Sequence, residues 1–381
     1  MIYLDNAATT YPKPPEVRQA VWDALVQYGA NPGRGGHAFS LRTAEQIYAC
    51  REAASSLFSL NNPACVVFTA NCTMSLNMAI KGVLQNGDHV VISDLEHNSV
   101  IRPLEALKSK NVTYTEAVIY PNYPELTVKS FRNAIRQNTK LMICSHASNV
   151  LGYRAPIEQL GALAAEKGIL FVVDAAQSGG ILPVDMAKSN IDYLCLPGHK
   201  GLYGPMGTGL LLCRNDRQLS TVMEGGSGSQ SLLKTQPQEL PEHLESGTIN
   251  VPGICGLYAG LEFVKSRTVQ AISAHETAIM QELYLRLSQI KAIQIHTLYP
   301  NLAVCVPLIT FTVKNRHSEE VAEFLNTAGI AVRAGLHCAP SAHRRIKTIE
   351  SGAVRICPSV YTTTKDLDFV YKKLMEFVRN S

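Results

Sequence analysis

Between residues 66 and 196, short apolar runs alternate with helical patterns, and this alternation limits the fold more than any other feature of the sequence. The apolar runs lie at 66–68, 89–92, 141–144, 169–173 and 193–196. Alternation of this kind favours a mostly parallel sheet with helices on both faces. We therefore predict an α/β fold whose core is such a sheet.

The pattern changes at about residue 255, where long helical stretches replace the regular alternation. Two helical stretches, 253–266 and 269–290, lead into short strand-like runs and a last helix, at 292–297, 303–313, 330–333, 353–357 and 364–379. Such a mixture is typical of an α+β unit. We predict a large α/β domain at 14–255 and a smaller α+β domain made of 1–13 and 256–381.

Composition excludes several classes of protein. The chain has 381 residues, 46% of them hydrophobic and 17% charged, as in soluble globular proteins. A net charge of +4 is too small to indicate a nucleic acid or an anionic membrane as partner, and the short basic run at 343–345 lies in a predicted C-terminal loop. No apolar run is long enough to span a bilayer, and the N-terminus lacks a signal-peptide pattern. The ten cysteines form no Cys-x-x-Cys pair, so we expect a cytoplasmic protein without disulfides.

Polar residues follow five of the predicted strands. In open α/β sheets, ligands bind beyond the carboxyl ends of the strands. Taken singly, each residue has an ordinary structural explanation, such as a helix cap for Asp174, a turn for Asn149 or a loop position for His97. Together they indicate a binding site. The polar segments are 69–73, 94–98, 145–149, 174–177 and 199–200.

Lys200 lies in a glycine-rich segment at 197–209, directly after an apolar run. The segment has no Gly-Lys-Ser/Thr sequence, which disfavours a nucleotide-binding P-loop. Two interpretations remain for Lys200 from the residues alone. It is either a solvated lysine in a surface turn or an amine nucleophile kept in a pocket, able to form a Schiff base.

The order of the motifs resembles the class V aminotransferase family of fold-type I pyridoxal-phosphate (PLP) enzymes, and within it the group II cysteine desulfurases. The resemblance covers nearly the whole chain and implies a large domain with a mostly parallel, seven-stranded sheet. The matching pieces are Tyr3-Leu4-Asp5-Asn6-Ala7-Ala8, Arg34-Gly35-x-His37, Glu96-His97, Ser148-Asn149-Val150-Leu151-Gly152, Asp174-x-x-Gln177, Gly198-His199-Lys200, Glu245-Ser246-Gly247-Thr248, Arg333-x-Gly-x-His337-Cys338 and Arg355.

The resemblance implies roles around a PLP ring. Lys200 resembles the Schiff-base lysine, which also moves the Cα proton of the substrate. Asp174 resembles the carboxylate that pairs with the pyridinium nitrogen and so lets the ring accept charge. His97 resembles the residue that stacks on the ring. Gln177 and Asn149 resemble residues near the phenolic oxygen, with Asn149 also near the substrate.

The resemblance also implies a phosphate site and a dimer. Cys72 and Thr73 match the pair that binds the phosphate through backbone amides and a hydroxyl, and His199 is expected to assist. Thr248 matches a residue that reaches the phosphate of the neighbouring subunit, which implies a homodimer with shared active sites.

Substrate binding is implied for Arg355, His37 and Asn149. Arg355 resembles the arginine that binds the substrate carboxylate, a bidentate contact that lysine cannot reproduce.

Cys338 distinguishes a desulfurase from its relatives. The implied reaction converts L-cysteine (or selenocysteine) to alanine, leaves a persulfide on Cys338, and passes the sulfur to an acceptor protein. Positive charge from Arg333 or a protonated His337 is expected to favour the Cys338 thiolate. The alternatives are an ordinary loop cysteine, or a metal site with His337. The metal site is disfavoured because no second Cys or His lies at metal-ligand spacing.

Pro197 departs from the family pattern, which usually has serine at this position. Proline offers neither a hydroxyl nor an amide hydrogen to the phosphate. Loss of one charge-assisted hydrogen bond costs on the order of 1.5–3 kcal/mol. The alternatives to a desulfurase are therefore a selenocysteine lyase, another class V enzyme such as an aminotransferase or β-lyase, and a cofactor-poor scaffold.

Overall fold

The structure is a computed structural model that describes residues 1–33, 36–214 and 219–379. The α-helices in these ranges are α1 (Pro15–Gln27), α2 (Ala38–Leu57), α3 (Cys72–Val83), α4 (Asn98–Leu107), α5 (Pro124–Ala134), α6 (Ile157–Lys167), α7 (Val251–Arg267), α8 (Val269–Leu287), α9 (Ser318–Thr327), α10 (Pro340–Arg345) and α11 (Thr364–Arg379). The β-strands are β1 (Ile2–Tyr3), β2 (Val66–Thr69), β3 (His89–Ser93), β4 (Thr113–Ala117), β5 (Thr139–Ser145), β6 (Leu170–Asp174), β7 (Tyr193–Pro197), β8 (Gly209–Cys213), β9 (Ile293–Ile295), β10 (Ile309–Val313), β11 (Ile330–Ala331) and β12 (Val354–Ile356).

A seven-stranded sheet forms the centre, in the order β2-β8-β7-β6-β5-β3-β4. Only β8 runs against its neighbours β2 and β7, and the other pairs are parallel. The predicted fold class, an α/β fold with a mostly parallel seven-stranded sheet, is confirmed. Because six strands point the same way, their carboxyl ends lie at one edge of the sheet.

Three details differ from the sequence-based expectation. The edge strand β4 carries mostly polar side chains, so no apolar run marks it. The expected strand at 303–313 begins only at Ile309, since Pro307 cannot donate to a ladder and Cys305 forms only an isolated bridge with Tyr153. The basic run at 343–345 lies in helix α10 and not in a loop.

Buried hydrophobic residues form two main clusters. The larger one surrounds the seven-stranded sheet, and the smaller one lies among α8, α9, α11 and the sheet β12-β10-β9. Leu4, from the first residues of the chain, packs in the smaller cluster. We keep the division into 14–255 and 1–13 with 256–381 as a proposal, which these two clusters support.

The first residues of the chain lie beside its last strands. Strand β1 pairs with β11, and Asp5 forms a bridge with Cys357. Arg333 and Arg355 are joined by a further bridge, next to β12. These contacts bring residues 5, 333 and 355 to the carboxyl edge of the large sheet. None of the helices within the described ranges combines the length and apolarity needed to cross a membrane.

Candidate active site

One cavity of about 240 Å³ lies at the carboxyl ends of the parallel strands. Strands β2, β3, β5, β6 and β7 each end next to it, and residues from the region of β12 close the other side. It is lined by ten of the residues that the sequence indicated: Cys72, Thr73, His97, Asn149, Asp174, Gln177, His199, Lys200, Cys338 and Arg355.

Asp174 and Lys200 place a carboxylate and an amine in this cavity. Asp174 is the last residue of β6 and is 5% exposed, and its Oδ1 accepts a hydrogen bond of 2.8 Å from the amide of Ala176. Burial, together with the charge of Arg355, lowers the pKa of Lys200 against the opposing effect of Asp174. A lysine with a lowered pKa carries a larger fraction of neutral, nucleophilic amine.

The thiol of Cys72 contacts the Asp174 carboxylate. Its Sγ lies 3.6 Å from Oδ1 and donates to it. Burial and the charge of Asp174 raise the pKa of this thiol well above its ordinary value. Cys72 therefore stays protonated, and its side chain supports Asp174 in addition to the backbone role that the sequence suggested.

The N-terminus of α3 points its first amides at the cavity wall. Asn71 caps the helix, with its side chain accepting from the amide of Met74 at 2.9 Å. Cys72 and Thr73 are the first two helical residues, and amides at these positions have no acceptor within the helix. The Thr73 hydroxyl lies 2.9 Å from that of Ser99. Free amides in a first turn are suited to an anion such as phosphate.

His199 carries a buried ring nitrogen without a partner. Its Nδ1 has no hydrogen-bond partner in the part of the chain that the structure describes. Burial, with the charges of Lys200 and Lys13, lowers the pKa of His199 to about 4. Buried polar atoms are nearly always hydrogen-bonded, so an orphaned nitrogen in a cavity wall indicates a ligand.

These residues match the functional groups of PLP. The free α3 amides, the Thr73 hydroxyl and the His199 ring suit its phosphate. The buried Asp174 carboxylate suits a protonated ring nitrogen, and the Lys200 amine suits the aldehyde. The residues that line the cavity thus fit this cofactor.

His97 presents a neutral imidazole to the cavity. It caps α4, with Nδ1 accepting from the amide of Ser99 at 3.1 Å. Burial lowers the pKa of His97, although Asp174 opposes this effect. The hydrogen bond fixes the plane of the ring, as a stacking residue requires.

Gln177 and Asn149 are held by backbone carbonyls. Nε2 of Gln177 donates to the carbonyl of Ala7 at 3.0 Å, which ties the first residues of the chain to the end of β6. Nδ2 of Asn149 donates to the carbonyl of His337 at 2.7 Å. Asn149 therefore connects the strand ends to the loop that carries Cys338.

Arg355 is 2% exposed and is oriented by two partners. Nη1 donates to the carbonyl of Asn149 at 2.8 Å, and Nη2 donates to Oδ1 of Asp5 at 3.1 Å. Its buried Nε has no partner among the described residues. A guanidinium fixed in this way, with unused N–H groups, suits a carboxylate. Sequence reasoning gave Asp5 no role, although Asp5 lies in the N-terminal motif.

The loop at 333–338 has an unusual backbone. His337 and Cys338 have φ of 51° and 56°, left-handed values that cost on the order of 1–3 kcal/mol each in residues other than glycine. The carbonyl of Cys338 accepts from the amide of Asn98 at 2.8 Å. The next residues, Ala339 and Ala342, pack in the larger hydrophobic cluster. The exposed Cys338 is thus anchored on both sides.

The expectation of a protonated His337 beside Cys338 is wrong. His337 is 6% exposed, and burial with the charge of Arg355 lowers its pKa to about 2. The remaining cation of the loop is Arg333, whose Nη1 lies 4.0 Å from Oδ2 of Asp5. The described residues contain no group of three or more His, Cys, Asp or Glu that could bind a metal ion.

Two predicted residues do not line the cavity of their own chain. His37 is exposed and caps α2, with Nδ1 accepting from the amide of Ser40 at 3.2 Å. Thr248 is exposed and lines a separate cavity of about 560 Å³. The roles of both stay predictions. Arg34 and Gly35, of the motif before His37, lie outside the described residues.

Pro197, the last residue of β7, lines the cavity next to His199 and pairs with Gly209 of β8. It offers this wall only a carbonyl group. The hydroxyl that the family pattern supplies at this point is therefore missing from the wall.

Comparison with known proteins gives a consistent result along the chain. Residues 2–370 match the family model described as aminotransferase class-V. A "Probable cysteine desulfurase" of Methanothermobacter thermautotrophicus is 31% identical, over 98% of this chain and 94% of the relative. A cysteine desulfurase of Synechococcus elongatus is 30% identical, over 97% and 59%.

Solved structures agree with this result. The apo structure of a cysteine desulfurase from Thermococcus onnurineus NA1 has a TM-score of 0.92 and 29% identity, covering 100% of this chain and 95% of the other. A cysteine desulfurase from Escherichia coli has a TM-score of 0.87 and 25% identity, covering 99% and 94%.

Proposed function

Because this chain belongs to the aminotransferase class-V family, we propose that it is a PLP-dependent cysteine desulfurase that converts L-cysteine to L-alanine. The observation that carries the proposal is the single cavity that contains the Lys200 amine, the Asp174 carboxylate and the Cys338 thiol. An amine and a carboxylate alone are common to PLP enzymes in general. The thiol at the same cavity is what a sulfur-accepting enzyme requires.

The cofactor would be held by residues at the strand ends. Lys200 would bind it covalently, Asp174 would pair with its ring nitrogen, and His97 would lie against its ring. The amides of Cys72 and Thr73 would bind its phosphate; the Thr73 hydroxyl and the imidazole of His199 would do so too, and Gln177 would lie near its phenolic oxygen. When bound, PLP supplies an electron sink for charge that develops at the substrate Cα.

The substrate would be oriented by its carboxylate. Arg355 is already fixed by Asp5 and by the carbonyl of Asn149, so little side-chain entropy is lost when a carboxylate binds. A bidentate arginine–carboxylate contact fixes both position and angle. We also propose that His37 lies near the substrate in the assembled enzyme.

Lys200 would move the proton at the substrate Cα. Its pKa is lowered, so the amine is able to accept a proton and return it. The neighbouring Cys72 thiol stays protonated against Asp174 and does not compete as a nucleophile.

Cys338 would accept the substrate sulfur. It lines the cavity and is also exposed, so a persulfide formed on it is accessible to an acceptor protein from outside. Arg333 supplies nearby positive charge, which favours the thiolate that such an attack needs.

We further propose a homodimer in the cytoplasm. Thr248 is exposed and distant from the cavity of its own chain, as expected for a residue that reaches the phosphate in a neighbouring subunit. All ten cysteines are free, which suits a reducing compartment.

The test is product analysis of the purified protein with PLP. We expect alanine and sulfide from L-cysteine in the presence of a thiol reductant. Cys338→Ala should keep the visible absorbance of the bound cofactor and lose sulfide release. Cys305→Ala, which changes a buried cysteine outside the cavity, is the matched control.

Each other outcome identifies an alternative. Unchanged sulfide release in Cys338→Ala would overturn the role of Cys338. Faster turnover of selenocysteine than of cysteine would indicate a selenocysteine lyase. Transamination or cleavage of other amino acids would indicate a different class V enzyme. Protein that takes up no PLP would indicate a scaffold.

A further inference from the structure

Three buried side chains form a line of hydrogen bonds behind the loop at 333–338. Nδ1 of His337 lies 3.1 Å from Nε2 of His343, and the two rings are nearly parallel, with 9° between their planes. Nδ1 of His343 lies 2.7 Å from the hydroxyl of Thr348. At the other end, Nε2 of His337 lies 3.4 Å from the carbonyl of Arg333. We call this line the histidine chain.

One carbonyl group determines the direction of every bond in the histidine chain. The carbonyl of Arg333 can only accept, so Nε2 of His337 carries the hydrogen. A neutral imidazole then has an acceptor at Nδ1, which requires a hydrogen on Nε2 of His343. By the same argument Nδ1 of His343 accepts, and the Thr348 hydroxyl donates. Both rings are neutral because burial lowers their pKa values, to about 2 for His337 and about 4 for His343.

We propose that His343 and Thr348 are positioning residues, which act through His337 to fix the loop that presents Cys338 to the cavity. The proposal rests on the proposed function of Cys338. It has a second consequence for His337. Both ring nitrogens of His337 are engaged, so His337 has no lone pair with which to accept the Cys338 proton, and this exposed thiol loses its proton to solvent.

The backbone of the loop shows why it needs such support. Gly335, His337 and Cys338 have φ of 97°, 51° and 56°, and only the glycine adopts such values without strain. The histidine chain connects the start of this loop to the turn after α10, where the amide of Thr348 bonds the carbonyl of His343 at 3.0 Å. Without these bonds, the left-handed residues can relax and move the thiol away from the cavity.

The first measurement needs neither cofactor nor substrate. The apoprotein is labelled with 15N-histidine, and long-range 1H–15N spectra at pH 7 report the tautomer of each ring. We expect both His337 and His343 to be neutral with the hydrogen on Nε2. A hydrogen on Nδ1 of His337, or a protonated ring, would overturn the proposal.

The second measurement uses paired variants. Thr348→Val and His343→Leu remove the donors, whereas Thr348→Ser and His343→Gln retain a donor at the same place. We expect Thr348→Val and His343→Leu to react with iodoacetamide at Cys338 severalfold faster as apoproteins. As holoenzymes they should lose about tenfold in kcat for sulfide release, with unchanged KM and cofactor absorbance. Thr348→Ser and His343→Gln should restore most of both.

The outcomes separate this proposal from the proposed function. Wild-type alkylation rates in both donor-less variants, at wild-type Tm, would overturn the positioning role. Absence of sulfide release from the wild-type enzyme would overturn the proposed function alone, because the tautomers and alkylation rates are measured on apoprotein. If His343→Leu does not fold, Thr348→Val and the wild-type spectra decide.

Discussion

The two chemical groups of the active site are positioned in different ways. The strand-end region, with Lys200 and Asp174, lies directly after buried strands of the large sheet, so the register of the sheet determines where these side chains point. The loop at 333–338 has no such support. Its thiol depends on left-handed residues and on bonds from Asn149 and Asn98 to its carbonyls. Changes at the strand ends should therefore affect the cofactor, and changes in the loop should affect sulfur transfer alone.

Lys200→Ala gives the largest expected effect and tests the strand-end half of this comparison. Loss of the amine removes the covalent link to PLP and the base that moves the Cα proton. We expect alanine formation to fall on the order of 10³-fold, since general acid–base catalysis alone contributes this much. Visible absorbance after desalting, and alanine by chromatography, measure the two losses. Lys188→Ala, at an exposed lysine paired with Glu158, is the control. A cofactor band that survives desalting would refute the assignment.

Arg355→Lys tests the connection between the two regions, since Arg355 contacts both Asn149 and Asp5. Lysine cannot bind a carboxylate in a bidentate manner, and a charge-assisted hydrogen bond contributes about 1.5–3 kcal/mol. We expect KM for L-cysteine to rise by about one to two orders of magnitude with unchanged cofactor absorbance. Steady-state kinetics measure it. A fall in kcat at constant KM would show that Arg355 acts on chemistry and not on substrate binding.

Pro197→Ser adds a donor to the strand-end region and should sharpen the comparison. A hydroxyl at this point can reach the phosphate site, so we expect the Kd for PLP to fall by up to about tenfold. Titration of the apoprotein with PLP, followed by absorbance, measures it. Pro197→Ala separates the gain of a hydroxyl from the loss of the proline ring. Equal affinity in the serine and alanine variants would show that Thr73, His199 and the helix amides already satisfy the phosphate.

Glu96→Gln should give the smallest effect, and only on stability. Glu96 lies under the strand ends, bonded to the amide and hydroxyl of Ser145, and burial raises its pKa from 4.5 to about 7. The folded protein therefore keeps this proton up to about pH 7, whereas the unfolded chain releases it near pH 4.5. The resulting stabilisation is complete below pH 4.5 and is lost as pH rises towards 7. We expect the decline of Tm over this range to be shallower in the variant, and an identical slope would contradict it.

Sequence reasoning predicted the strand-end region because of one physical regularity. Parallel strands end at the same edge, so Asp174 and Lys200 could be placed together from the apolar runs that precede them. The family resemblance then supplied Cys338 and Arg355, which no apolar run marks. The edge strand β4 was missed because an exposed strand with polar residues has no apolar pattern.

The support of the loop could not be predicted. His343 lies in a basic run that suggests a surface loop, and only the packing of α10 shows that its side chain is fully buried. Nothing in the sequence relates Thr348 to His337, because their connection depends on the fold between them. The charge of His337 was predicted wrongly for the same reason, since its pKa depends on burial.

The ion pair between Asp5 and Arg355 joins residues 350 positions apart in the chain. Contacts of such high sequence separation close the longest loops and tend to form late in folding. During synthesis the large sheet, with Lys200, can assemble before residue 355 has been added, since domains generally fold as units as the chain emerges. A nascent or truncated chain would then carry an amine pocket without the arginine proposed to orient the substrate. Competence to bind the amino acid is thereby delayed until almost the whole polypeptide has been made.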